Sequence, residues 1–341
     1  MKRILAALLL SAMLLCTVSL YEGRVESLTY AVFPYLPDVE YYQQVIESRW
    51  AELEPDIKLV RADWNCYDDG APAGIDVIMY DACMQESILE NEWIMPIKEK
   101  AVQEPEDIFP FALEGAKKDG SLYGIPVFLC GNFLIYDREC GQLAAAEHLT
   151  DLAGEEGILV INSEYSSNRS QYAIEVLADT LGEANPPAVE DMEETLALVD
   201  RLAIDAHRRD DDAQVAKAYD TGEREGYIGF SESMSLLEER ADWTGIKAVS
   251  FSDRENVPRC YVDVAAITAG TKGRQYDKCV KLMNVMAEAE VLAELSRHDG
   301  DPQYLLIARK SPYAQLAEQF PLYAELEELA ADEKNQVIRT P

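Results

Sequence analysis

Apolar residues fall into two rhythms along this chain. Short continuous apolar runs at 28–32, 57–60 and 75–80 have the length of buried strands, whereas Tyr42, Val45, Ile46 and Leu53 recur at helical spacing until Pro55 stops them. A further helix is expected around 84–89, and strands alternating with helices in this way predict parallel pairing. The run 122–136 is extended and nearly all apolar, too long for one strand of about five or six residues. It is expected to cross between two lobes. Helical spacing returns at 172–181 and 192–206, followed by a charged stretch at 208–212. Strands are expected at 227–230, 246–251 and 261–268. A long amphipathic helix at 276–295 and two short ones at 313–320 and 322–330 complete the pattern.

Length turns this pattern into an architecture. At 341 residues the chain exceeds the ~250–300 residues that one hydrophobic core serves. With a return strand at 261–268, the reading is an α/β protein of two lobes joined by two or more strands, with a cleft that binds a small molecule and closes by hinging. A hydrophobic content of 48% is enough to bury a core and argues against disorder. The balance of 30 basic to 63 acidic residues, a net charge of −33, argues against nucleic acid and anionic membranes as partners and leans toward a neutral or cationic ligand.

Met1-Lys2-Arg3 ahead of the apolar run 4–18 has the form of a signal peptide, so residues 1–20 are read as a leader and the protein as exported, secreted or associated with the cell envelope. Cys16 is the residue a lipid anchor would use, but Leu14 and Leu15 stand where small residues are expected before a lipidated cysteine. Of the remaining cysteines, Cys66, Cys83, Cys130, Cys140, Cys260 and Cys279, none shows CxxC spacing, which leaves their pairing open. His148, His207 and His298 lie far apart without ligands at metal spacing, so no metal site is expected.

Candidate chemistry gathers where strands end. Cys130 closes the apolar run and is followed by Gly131-Asn132, where the backbone turns away and a side chain faces a cleft. A thiol of ordinary pKa ~8.5 needs a base to become a nucleophile at neutral pH, and no histidine is offered. Glu232, at a helix start just after the strand 227–230, is the candidate base; as an acid in a first helical turn it equally suits plain dipole complementation. Phe33 and Tyr35, Asp81, and Tyr261 with Asp263 stand at other strand ends, the place where open α/β sheets bind ligands. Aromatic faces together with carboxylates suit a flat cationic heterocycle.

Several segments carry a resemblance: Phe33-Pro34-Tyr35-Leu36-Pro37-Asp38, Asp63-Trp64, Ile75 through Asp81, Phe109 through Lys117, Tyr123-Gly124-Ile125-Pro126, Leu129-Cys130-Gly131-Asn132, Ile228 through Met234, and Pro302 through Leu306. In order and spacing the chain resembles the thiaminase I family over essentially its whole length beyond the leader. The resemblance implies a two-lobed fold like the type 2 periplasmic binding proteins, with a central cleft and a multi-strand hinge. Lobe 1 would be 21–129 plus 264–308 and lobe 2 would be 130–263 plus 309–341.

It also implies base exchange on thiamine without a cofactor. Cys130 would add to C6 of the aminopyrimidine, Glu232 would take its proton, Asp81 and Asp263 would hold the pyrimidine, and Tyr35 and Tyr261 would pack the rings. Thiamine and a small amine or thiol would be the partners of a monomer. Phe230 and Gln214 stand where the family more often has tyrosine, which bears on pocket polarity. The alternative reading is a non-catalytic receptor that captures thiamine or a pyrimidine for an ABC transporter. It accounts for the cleft but leaves a thiol paired with an acid unexplained. A cysteine hydrolase reading lacks a positioned histidine.

Overall fold

The first three strands, β1 (Ser27–Ala31), β2 (Lys58–Arg61) and β3 (Val77–Asp81), pair in parallel in the computed structural model, with Thr29 opposite Val60 and Tyr30 opposite Val77. Every residue of β3 is buried, as its unbroken apolar run requires of a central strand. Between β1 and β2 runs the helix Val39–Leu53, capped by the Asp38 carboxylate, which accepts from the Tyr41 N–H at 2.9 Å. Its apolar stripe buries Tyr42, Val45, Ile46 and Trp50, and the Trp50 indole N–H donates to the Ile57 carbonyl at 2.9 Å. The structure describes residues 25–339 except 153–156, 162–165, 187–194, 196, 198–206 and 209–211. The leader at 1–20 with Cys16, most of the helix expected at 192–206 and most of the charged stretch at 208–212 lie outside the described residues. Among the described residues no helix is long and apolar enough to cross a membrane.

The remaining strands are β4 (Lys117–Lys118) and β5 (Ser121–Leu122), β6 (Gly124–Cys130), β7 (Phe133–Asp137), β8 (Leu159–Ile161), β9 (His207–Arg208), β10 (Gly226–Gly229), β11 (Thr244–Lys247), β12 (Arg259–Ile267), β13 (Arg297–His298), β14 (Asp301–Pro302), β15 (Leu306–Ile307) and β16 (Gln336–Val337). They form two main sheets, one ordered β15-β6-β12-β3-β1-β2 with β16 also on β12, the other ordered β11-β7-β10-β8-β9, beside the small ladders β4-β5 and β13-β14. The first three strands keep the expected parallel pairing, but β12 runs antiparallel to both β3 and β6, and β7 antiparallel to β10 and β11.

The long apolar run resolves into β6 in the larger sheet and β7 in the smaller, so the chain changes sheets at Gly131-Asn132. A side chain at 131 would bring a Cβ within 3.1 Å of the Arg259 carbonyl oxygen and 3.0 Å of the Phe133 ring, and glycine is the residue that permits this approach. The expected lobe boundaries at 129/130 and 263/264 fall within β6 and β12, both of which lie wholly in the larger sheet. The C-terminal helix Leu322–Ala331 packs on β11 of one sheet and β15 of the other, tying the two together.

Two expectations are corrected, both by buried side chains acting at a distance. The single helix expected at 276–295 is two, Gly273–Met286 and Ala289–Leu295. No proline or glycine breaks it. Instead the Ala287 carbonyl accepts from the buried Arg309 guanidinium, which also donates to the Gln103 carbonyl at 2.9 Å, and Glu288 pairs with Arg49. The strand expected at 246–251 ends at Lys247. Beyond it the buried Asp179 carboxylate accepts from the Phe251 N–H at 2.6 Å, the Val257 N–H at 2.7 Å and the Ser250 hydroxyl at 3.1 Å, so a side chain replaces a neighbouring strand as hydrogen-bond partner.

Candidate functional site

The register of the larger sheet assembles one end of the site. Antiparallel pairing sets Tyr261 of β12 opposite Cys130 of β6, and Asp263 opposite Asp81 of β3. Residues directly opposite in a ladder, and residues two apart on one strand, project from the same face. Cys130, Tyr261, Asp263 and Asp81 therefore share a face at the ends of β6 and β3, with a bulge between Asp263 and Val264 to turn the strand there.

The smaller sheet supplies the other end. In the β10-β7 ladder Gly229 pairs with Phe133, and continuing that register by three residues sets position 232 against position 130. Both strands stop short of this crossing, because Cys130-Gly131-Asn132 departs for the larger sheet and Phe230 leads into a 3-10 turn, Ser231–Leu236. The turn presents Glu232 in its first residues, and the Cys130 thiol donates to Glu232 Oε1 at 3.8 Å, across 102 positions of sequence. Ser231 Oγ lies 3.5 Å from Glu232 Oε2, and the Ser235 hydroxyl donates to the Glu232 carbonyl at 2.7 Å.

Electrostatics follow from placing carboxylates together out of water. Burial, then the nearby Glu232, Asp263 and Asp81 carboxylates, hold the Cys130 thiol well above its usual range, so it sits as a neutral donor. Burial, then Asp81 and Glu232, push Asp263 well above the carboxylate range. Asp81 is also raised by burial, opposed by the Tyr67 hydroxyl that donates to its Oδ2 at 2.5 Å and the Cys83 N–H that donates to its Oδ1 at 2.8 Å. Two unit charges about 4 Å apart repel by about 4 kcal/mol at an effective dielectric of ~20, so the neighbouring carboxylates add to the upward push that burial gives Asp263. Among the described residues no lysine or arginine forms an ion pair with Asp81 or Asp263, and no cluster of three or more His, Cys, Asp or Glu is arranged to hold a metal ion. The six cysteines from Cys66 onward are free thiols.

A native carboxyl that keeps its proton to higher pH than the unfolded chain costs stability as pH rises. For Asp263 the effect starts above the ordinary value of 3.8 and runs up through the raised one. Asp263→Asn, which mimics the protonated acid, is expected to gain on the parent as pH rises through that window. The gain is about 1.4 kcal/mol for each pH unit crossed. Urea midpoints of both proteins between pH 4 and pH 8 measure it, and a constant difference would exclude the assignment.

Around the carboxylates stands an aromatic group. Phe33, Tyr35 and Tyr67 pack with ring centroids 5.5 to 6.2 Å apart, and the Asn65 amide donates to the Tyr35 hydroxyl at 3.1 Å. Tyr35 is 62% exposed, at the rim, and Tyr67 connects this rim to Asp81. Tyr261 is half-buried beside Cys130. Phe230 is half-buried where the 3-10 turn begins, its carbonyl accepting from the Ser233 hydroxyl at 2.6 Å, while Gln214 is exposed on the helix Asp212–Asp220. Thus Cys130, Glu232, Asp81, Asp263 and Tyr261 come together, Tyr35 stands at the edge, and Gln214 is exposed. Tyr67 was missed in the sequence; the same rule of aromatic residues beyond a strand end, applied to the loop after β2, would have found it.

No protein-family model matches the chain. It is 29% identical to thiaminase-1 of Paenibacillus thiaminolyticus over 342 residues, 92% of this chain and 83% of that protein. It superposes on thiaminase I from Bacillus thiaminolyticus with a TM-score of 0.85 at 27% identity, and on Clostridium botulinum thiaminase I in complex with thiamin with a TM-score of 0.84 at 28% identity, in each case over 92% of this chain and 94% of the other. The GacH receptor of Streptomyces glaucescens shares the fold, with a TM-score of 0.68 at 13% identity over 93% of this chain and 88% of that one.

Proposed function

We propose that this chain, a homologue of thiaminase I on a two-lobed solute-binding-protein fold, is a transferase that degrades thiamine by base exchange, with Cys130 as nucleophile and Glu232 as its base. The observation that carries the reading is the Cys130 thiol donating to Glu232 at 3.8 Å on a face lined by Asp81 and Asp263. In the reaction Glu232 takes the thiol proton as the sulfur bonds to C6 of the aminopyrimidine. The electron pair of the C5–C6 bond shifts to form a double bond from C5 to the methylene carbon, and the thiazole leaves with the pair of its own bond. An acceptor amine or thiol then adds to the methylene and gives up a proton to solvent, the pair returns to C5–C6, and the sulfur is expelled to recover its proton from Glu232.

Asp81 and Asp263 hold the pyrimidine ring and its amino group. Tyr261 and the Phe33-Tyr35-Tyr67 group pack the rings, and Phe230 lines the approach to Glu232. The thiazolium cation enters a cleft crowded with carboxyl groups and stabilises their ionised forms, so proton removal from Cys130 becomes easier once substrate is present. The protein works as an exported monomer, with a small amine or thiol as co-substrate. A capture receptor has the same fold in its favour but no use for the thiol–carboxylate pair.

The test is to incubate the protein with thiamine and aniline and follow products by mass spectrometry. The anilino-methylpyrimidine and free thiazole are expected in equal amounts; thiamine bound but recovered intact would establish the receptor instead.

A further inference from the structure

Two residues before Tyr261, at the start of β12, begins a second buried polar group. Arg259 and Glu175 pair there, Nη1 to Oε2 at 3.2 Å, with side chains only 2% and 10% exposed. Glu175 belongs to the helix Ser166–Leu181, whose Tyr172, Ala173 and Val176 pack in the core of the smaller sheet, whereas Arg259 opens β12 of the larger sheet. Asn132 stands beside the pair with its amide nitrogen buried and unpartnered, and the Arg259 charge opposes the upward push that burial gives Glu175. Asn132, Glu175, Arg259, Cys260 and Asn335 line one cavity of about 30 Å³.

The placement is specific: Asn132 is two residues past Cys130 and Arg259 two residues before Tyr261, and Cys130 and Tyr261 are paired across the ladder. One carboxylate from the smaller lobe thus holds the start of β12, two residues from the rung that pairs Tyr261 with Cys130. Burying an ion pair contributes little to stability, since apolar residues of like volume usually do as well or better. What the pair adds is direction, because it ties the start of β12 in the larger sheet to a helix of the smaller lobe.

We propose that Glu175 is a positioning residue: through Arg259 it fixes the Tyr261 ring, and the Cys130 sulfur paired with it across the ladder, relative to Glu232, which the smaller lobe carries. The proposal rests on the catalytic reading above for its turnover readout but not for its chemical one. A displacement of about 1 Å in a reacting atom costs up to 10²-fold in rate. Loss of Glu175 therefore lowers kcat.

The experiment uses Glu175→Gln and, because a single change leaves the Arg259 charge buried without its partner, the double variant Glu175→Leu with Arg259→Met, which replaces the pair by packed apolar groups. Each is compared with the parent in urea midpoint, in kcat and KM for thiamine, and in the rate at which iodoacetamide alkylates Cys130. The expected result is a double variant at least as stable as the parent with kcat about tenfold lower and an altered alkylation rate, and partial rescue by Glu175→Asp. A stable double variant with kcat and alkylation within twofold of the parent would overturn the proposal. If the parent itself does not turn thiamine over, the catalytic reading fails, and the alkylation rates alone decide the positioning role.

Discussion

Cys130→Ser is expected to leave a folded protein that still binds thiamine but exchanges its thiazole at least about 10⁴-fold more slowly. The substitution is nearly isosteric at the half-buried end of β6, so the ladder to Tyr261 and the packing around Gly131 survive. What is lost is a nucleophile a carboxylate can activate. A hydroxyl lies several pKa units above a thiol, and Glu232 is too weak a base to bridge that gap. The barrier rises by about 1.4 kcal/mol for every tenfold. Turnover with thiamine and aniline measures the loss. Calorimetric binding confirms that the pocket is intact, and trapping the parent with a slow acceptor shows the pyrimidine on the Cys130 peptide. Exchange that persists in the serine protein would remove Cys130 from its role.

Glu232→Gln carries the second large effect, and it moves two observables in opposite directions. Removing a general base lowers turnover by about 10² to 10⁴. The same change removes a negative charge that, after burial, is the first cause of the raised Cys130 thiol. Because an anion beside a thiol disfavours the thiolate, its removal brings the thiol pKa down. The glutamine protein is thus expected to be slower with thiamine while its Cys130 alkylates at lower pH than in the parent. In the parent, a non-reacting cationic thiamine analogue is expected to shift the alkylation profile to lower pH; in the glutamine protein that shift shrinks. A mutant that is slow in both assays, or whose alkylation profile does not move, would show that Glu232 acts on something other than the thiol.

Much of the site was legible because strand ends were. Asp81, Asp263 and Tyr261 follow from the rule that ligands meet sheets at the ends of strands, and Cys130 from the glycine and asparagine that turn the chain after it. What could not be read was proximity. Glu232 reaches Cys130 because the β10-β7 register, continued past Phe133 and Gly229, makes 232 the partner of 130, and register belongs to pairs of strands. The same holds for Glu175, an acid on a helix that acquires meaning only when Arg259 and Asn132 arrive beside it. The broken helix at Ala287 and the strand that stops at Lys247 have no local signal, since their causes, Arg309 and Asp179, lie 22 and more residues away.

The chain alone determined which segments are strands and helices, that they exceed one core, and that thiol, acid and aromatic groups stand at strand ends, because periodicity and turn chemistry are local properties of the backbone and its nearest side chains. The tertiary structure decided which of those ends face one another and which carboxyls are pushed above their ordinary pKa. Both depend on distances between residues far apart in sequence, and on how much water is left between them.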